Sequence, residues 1–171
     1  MSIVSLATVE NFRASVPPSR AGSRSPDGLR VLEIVGMDAM PFSSHKVLLL
    51  EDDPAFREIM TDFLQENGFE VTAVRNGVEG FHKILASDFE MILCDMMMPT
   101  LPGDMFYRAV QRMRPHLCDR FVFMTGHRGH PRIRDFIDSV WGTVLIKPFR
   151  VTDLLEMIEF VRLRATVLLA A

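Results

Sequence analysis

Six residues whose types can do chemistry stand where short apolar runs end. Glu51, Asp52 and Asp53 follow KVLLL, Asp95 follows FEMILC, Thr125 follows RFVFM and Lys147 follows TVLI. Carboxylates that converge cannot all stay ionised; one takes up a proton, or a cation binds among them. Oxygen donors alone, with no clustered His or Cys, favour Mg2+, which keeps several waters and takes a phosphate oxygen as a further ligand. A cation, a carboxylate, a hydroxyl and an ammonium around one point make a phosphoryl-transfer site. The carboxylate is the nucleophile, the metal and the lysine offset charge on the transferring group, and the hydroxyl bonds one of its oxygens.

That chemistry needs elements that bring the run ends together. From Lys46 onward, buried-strand runs alternate with amphipathic segments. KVLLL (46–50) reads as a strand. In PAFREIMTDFLQENG (54–68), Phe56, Ile59, Met60, Phe63 and Leu64 recur at helical spacing, with Pro54 suited to the first turn and Gly68 to the stop. FEVTAV (69–74) alternates as a strand, and NGVEGFHKILAS (76–87) carries Val78, Phe81, Ile84 and Leu85 on one helical face. FEMILC (89–94), RFVFM (120–124) and TVLI (143–146) read as further strands, and DMFYRAVQRM (104–113), PRIRDFIDSV (131–140) and VTDLLEMIEFVRLR (151–164) as helices. On the last helix, Leu154, Leu155, Ile158 and Val161 are assigned to the core, and Met157, Phe160 and Leu163 to a partly exposed face.

Strands apolar on both faces, joined by right-handed helical crossovers, predict an α/β fold: a flavodoxin-like, doubly wound, five-stranded parallel sheet in the order 2-1-3-4-5. Sites in such sheets lie beyond the C-terminal strand ends, at the switch between strands 1 and 3. Neighbouring strands are about 4.8 Å apart. Asp95 then faces the acidic group on one side and Thr125 on the other, and Lys147 reaches inward from one strand further out.

Composition sets limits. The chain has 171 residues, 48% of them hydrophobic, and a formal net charge of −3. A packed core is expected, and nothing draws the chain to nucleic acid or to an anionic membrane. Apolar runs fall short of the roughly 18–20 residues of a membrane helix, and the N-terminus lacks the basic start and apolar core of a secretory signal. Cys94 and Cys118 have no metal-like spacing and read as free thiols. The expected setting is the cytoplasm. Residues 1–45, with the Ser-, Pro-, Gly- and Arg-rich stretch SVPPSRAGSRSPDG, are expected to be a flexible N-terminal extension. Within it LRVLEIVG (29–36) reads as an isolated short strand, and Met37 or Met40 as an alternative start. Residues 46–165 form the folded domain and 166–171 a short C-terminal tail.

Four separated motifs, LLLEDDPAFR, LCDMMMPTLPG, FMTG and IKPF, stand in order at these strand ends. Together they resemble the receiver domain of two-component response regulators, over roughly Lys46 to Leu163. The resemblance implies that Asp95 accepts the phosphoryl group, forming an aspartyl phosphate. Counting back from Arg57 makes Glu51 and Asp52 the acidic metal pair. The backbone carbonyl of Met97 would be a further Mg2+ ligand beside Asp95. Thr125 would be the switch hydroxyl and Lys147 the phosphate-pairing lysine, with the Lys147–Pro148 bond cis. Gly103 matches the glycine after the Met-Pro turn. The implied partners are a sensor histidine kinase or histidine phosphotransfer protein, an unknown downstream protein, and a second copy through the helix 4–strand 5–helix 5 face.

Three departures from the pattern stand out. Val144 occupies the usual aromatic switch position, Gly126 follows the threonine where Ala is common, and Met97 and His127 flank the site and would overhang an acyl phosphate. The leading expectation is a stand-alone, non-enzymatic receiver in a phosphorelay. One alternative is a receiver fold that binds partners without phosphorylation, which Val144 keeps open. Another is an aspartyl-nucleophile phosphatase of the haloacid dehalogenase type. It needs an acid two residues after the nucleophile, where this chain has Met97. Taken singly, the residues have plainer readings: an acidic helix cap at Asp53, gap-filling methionines at 96–98, exposed loop histidines at His127 and His130, and a solvated basic face at Arg128, Arg132 and Arg134.

Overall fold

The computed structural model describes residues 45–126, 129–140 and 143–169. The expected N-terminal extension up to residue 44, the strand read at 29–36, and the roles given to His127 and Arg128 lie outside the described residues.

The described elements run β1 (Lys46–Leu50), α1 (Pro54–Glu66), β2 (Glu70–Val74), α2 (Gly77–Ala86), β3 (Met91–Asp95), α3 (Gly103–Met113), a 3-10 segment (Pro115–Arg120), β4 (Phe121–Thr125), α4 (Pro131–Ser139), β5 (Thr143–Ile146) and α5 (Val151–Leu169). The sheet is parallel throughout, in the order β2-β1-β3-β4-β5. That is the flavodoxin-like topology the alternation predicts.

Successive strand residues point to opposite faces, so each central strand must be apolar on both. Leu48, Leu50, Ile92, Cys94, Phe121 and Phe123 pack with Ile84, Phe106, Tyr107, Val110, Ile133 and Phe136 from α2, α3 and α4. Val47, Leu49, Met91, Leu93, Val122 and Met124 pack on the other face with Met60, Leu64, Leu154, Ile158 and Val161 from α1 and α5. Aromatic rings fix α3 and α4 on β4. Tyr107 lies 5.0 Å from Phe121, and Phe123 meets Phe136 edge-on at 5.1 Å. Each such pair adds about 0.5–1.5 kcal/mol beyond its buried area.

Several boundaries and faces differ from the sequence-based expectation. β3 ends on Asp95 itself, which pairs with Met124 in the ladder, so the carboxylate closes the strand rather than following it. Ile59, Val78 and Leu85 are exposed. On α2 the buried stripe runs through Gly77, Gly80 and Ile84, because a Cβ on Gly80 would come within 2.5 Å of Leu50. The close approach turns the contact line toward the glycines and leaves Val78 and Leu85 outside. On α5, Met157 belongs to the core and Leu155 only packs against it, while Leu163 is exposed as read. The helix also continues past Arg164 to Leu169, through part of the expected tail.

Candidate functional site

The acidic turn is built by the end of β1 and the start of α1. The Glu51 amide extends the ladder by donating to the Val74 carbonyl at 3.1 Å. This carries the Glu51 side chain inward, and the residue is only 1% exposed. Asp52 faces solvent. Asp53 accepts from the Phe56 amide at 2.7 Å and caps α1, as read from the sequence. Arg57 folds back to donate to the carbonyls of Glu51 and Asp52, at 2.8 and 3.2 Å. A guanidinium on two carbonyls fixes the turn that presents the carboxylates.

Asp95 ends the central strand with 10% of its side chain exposed. Its Oδ1 accepts from the Met97 amide at 3.0 Å, and Met97 is 45% exposed. Thr100 takes a left-handed φ of 71°, and the turn closes where Gly103 donates to the Met96 carbonyl at 3.2 Å. Gly103 is required there. A Cβ would sit 2.6 Å from the Asp95 carbonyl oxygen and 3.0 Å from the Met96 Cα.

From the other side, Thr125 closes β4 fully buried, one residue past the partner of Asp95. The Lys147 amide donates to the Thr125 carbonyl at 2.8 Å. The Lys147–Pro148 bond is cis, the geometry expected there. The Lys147 ammonium donates to Glu51 Oε2 at 2.6 Å and to Asp95 Oδ2 at 2.8 Å.

Ligand oxygens of Glu51, Asp52 and Asp95 lie within 4.8 Å of one another. Burial pushes the Glu51 carboxyl above its usual range, and the nearby Asp95 charge adds to that while Lys147 opposes it. Burial works against the Lys147 ammonium, but its bonds to Asp95 and Glu51 outweigh burial and move it up. Three carboxylates against one ammonium leave the cluster short of positive charge, and the donors are all hard oxygens. A Mg2+-type cation fits both facts. Among the described residues no other group of His, Cys, Asp or Glu is arranged to hold a metal ion.

The structure thus brings together Glu51, Asp52, Asp95 and Lys147 and sets Thr125 at the neighbouring strand end. Two contacts escaped the sequence reading. The Phe56 ring lies 4.5 Å below the Lys147 ammonium. Arg132, read as part of a solvated face, makes a bidentate pair with Asp104 at 2.8–3.0 Å. An acid in the first turn of α3 was the one signal for the second; nothing in the sequence signals the first.

Comparison with known proteins agrees with this geometry. The response regulator receiver domain model matches residues 47–159. The response regulator receiver protein CpdR of Brucella abortus is 30% identical over 114 residues, 67% of this chain and 93% of that protein. The chain spans 50% of the next curated relative, a transcriptional regulatory protein of Escherichia coli. Among solved structures, Vibrio cholerae chemotaxis protein CheY4 aligns with a TM-score of 0.63 and 28% identity, over 70% of this chain and 99% of that one. The receiver domain of a Pseudomonas aeruginosa sensor histidine kinase shares the fold at 20% identity and a TM-score of 0.64, over 70% of this chain and 98% of that one; its structure holds a magnesium ion in the active-site cleft.

Proposed function

The chain belongs to the response regulator receiver domain family, and on that premise we propose that it accepts a phosphoryl group on Asp95 and relays it as a two-component signal. The observation that carries this reading is the bond from Lys147 to Asp95 at 2.8 Å, beside carboxylates of Glu51 and Asp52 within 4.8 Å. A phosphohistidine of a sensor kinase or phosphotransfer protein is the donor. An Asp95 carboxylate oxygen attacks phosphorus, the phosphorus–nitrogen bond breaks, and the imidazole leaves with a proton. Lys147 pairs with the charge on the transferring group, and Thr125 gives it a hydroxyl partner. Glu51, Asp52, Asp95 and the Met97 carbonyl would hold Mg2+, as the magnesium-bound relative supports. The bound ion would supply charge neutralisation at the phosphoryl oxygens.

Phosphorylation then biases the region of Thr125, α4 and β5, and partners read the change. We take the protein to act in the cytoplasm as a stand-alone receiver, through a downstream protein or a second copy across the α4–β5–α5 face. Support for the stand-alone reading comes from the near-complete span of the receiver protein CpdR. Among the described residues no helix is long and apolar enough to cross a membrane. The phosphatase reading is disfavoured by Met97, which offers no proton to a leaving group. Partner binding without phosphorylation is the second reading, resting on Val144. The test is intact mass after incubation with acetyl phosphate and Mg2+. One phosphoryl adduct on the wild type and none on Asp95→Asn supports acceptance; no wild-type adduct, or an equal one on Asp95→Asn, favours the second reading.

A further inference from the structure

Lys147 has two carboxylate partners and a third neighbour of another kind. Its ammonium stands over the face of Phe56, 4.5 Å from the ring centroid. A cation so placed is attracted by the ring quadrupole. The ring itself is firmly held. Phe56 is in the first turn of α1, where its amide is bonded to Asp53 at 2.7 Å. The edge-on partner of the ring is Phe149 at 6.0 Å, two residues after Lys147, and both rings pack against the α1–α5 core. One aromatic pair therefore clasps the segment that carries the lysine and faces the lysine head.

Lysine is a point charge on a flexible four-carbon stem, and two carboxylates do not fix it when both also belong to the cluster that would hold a cation. If a cation takes Glu51 and one oxygen of Asp95, the ammonium loses the partner at 2.6 Å and keeps Asp95 Oδ2 and the ring. We propose that Phe56 is a positioning residue for phosphoryl acceptance, its ring face holding the Lys147 ammonium on Asp95. The proposal rests on the receiver reading above. Neither partner is exposed; Lys147 has 23% of its side chain in solvent, so the contact is only partly screened.

The test compares Phe56→Leu and Phe56→Tyr in the full chain. Leucine keeps an apolar side chain and removes the ring face; tyrosine keeps the face. Acceptance from acetyl phosphate with Mg2+ should slow about three- to tenfold in Phe56→Leu and stay near wild type in Phe56→Tyr. In nuclear magnetic resonance spectra, the methylene protons next to the Lys147 ammonium should show a ring-current displacement in the wild type and in Phe56→Tyr, and lose it in Phe56→Leu. A wild-type rate in Phe56→Leu, an equally slow Phe56→Tyr, or undisplaced Lys147 signals in the wild type would each overturn the proposal. If Phe56→Leu does not fold, the wild-type and Phe56→Tyr spectra decide alone. Failure of the wild type to form any adduct would instead strike the receiver reading, since the Lys147 signals are read without phosphorylation.

Discussion

At the scale of single residues, the site works by crowding charge around a strand end. Glu51 and Asp95 share one ammonium, and the Asp95 backbone lies within 2.6 Å of where a Gly103 Cβ would be. Backbone atoms on both sides cannot yield cheaply. Gly103→Ala should cost about 1–3 kcal/mol in chemical denaturation and lower phosphoryl acceptance on Asp95 as well. A variant as stable and reactive as wild type would contradict the close approach. Met97 bonds Asp95 through its amide and is partly exposed, and on the receiver reading its side chain would screen an acyl phosphate from water. Met97→Ala should shorten the phosphoryl lifetime about two- to tenfold, measured as loss of adduct after donor removal; an unchanged lifetime refutes the screen. The groups that cluster, Glu51, Asp52, Asp95 and Lys147, were legible because each is a polar residue ending an apolar run, a pattern strong enough to survive a one-residue error in where β3 stops. Phe56 was not. Its helical spacing marks it as a packing residue, and only the fold shows which charged head the ring faces.

At the scale of elements, α4 is held by two kinds of contact. Its own Ile133 and Phe136 insert into the core beneath, and its Arg132 reaches across to Asp104 in the first turn of α3. The arginine side chain is 54% exposed and the carboxylate 12%, so the pair is partly screened. Arg132→Ala should cost about 1 kcal/mol and speed amide exchange in α4 with little effect in β3. Unchanged exchange in α4 would show that the pair does not secure the helix. Val144, where the resemblance read from the sequence implies an aromatic, pairs with Phe123 of β4, whose ring already packs edge-on to Phe136. Ring bulk beneath α4 thus comes from β4 instead of β5. Helix existence and order were readable from periodicity. Helix faces were less so, because periodicity counts apolar side chains and cannot see that Gly80 is the point of closest approach on α2.

At the scale of the whole molecule, two apolar layers clamp one sheet, and buried polar groups report on that clamp. Tyr107 is the chain's single tyrosine, and burial, with help from Cys118, pushes its phenol up to about 12. A folded value above the unfolded 10.0 stabilises the fold below pH 10, and that contribution is lost as pH rises toward about 12. Phenolate absorbance should therefore titrate near 12 while the chain is folded and near 10 in denaturant. A native midpoint near 10 would contradict the packing of α3 on β4. The sheet order was legible, since strands apolar on both faces admit few arrangements. The central claim is that Asp95, held against Lys147, is the phosphoryl acceptor. Borohydride reduction after incubation with acetyl phosphate and Mg2+ converts an acyl phosphate to homoserine, which peptide mass mapping locates. Homoserine at position 95 alone is the predicted result; homoserine at 52, 5-hydroxynorvaline from a reduced glutamyl phosphate at 51, or no reduced residue at all would contradict it.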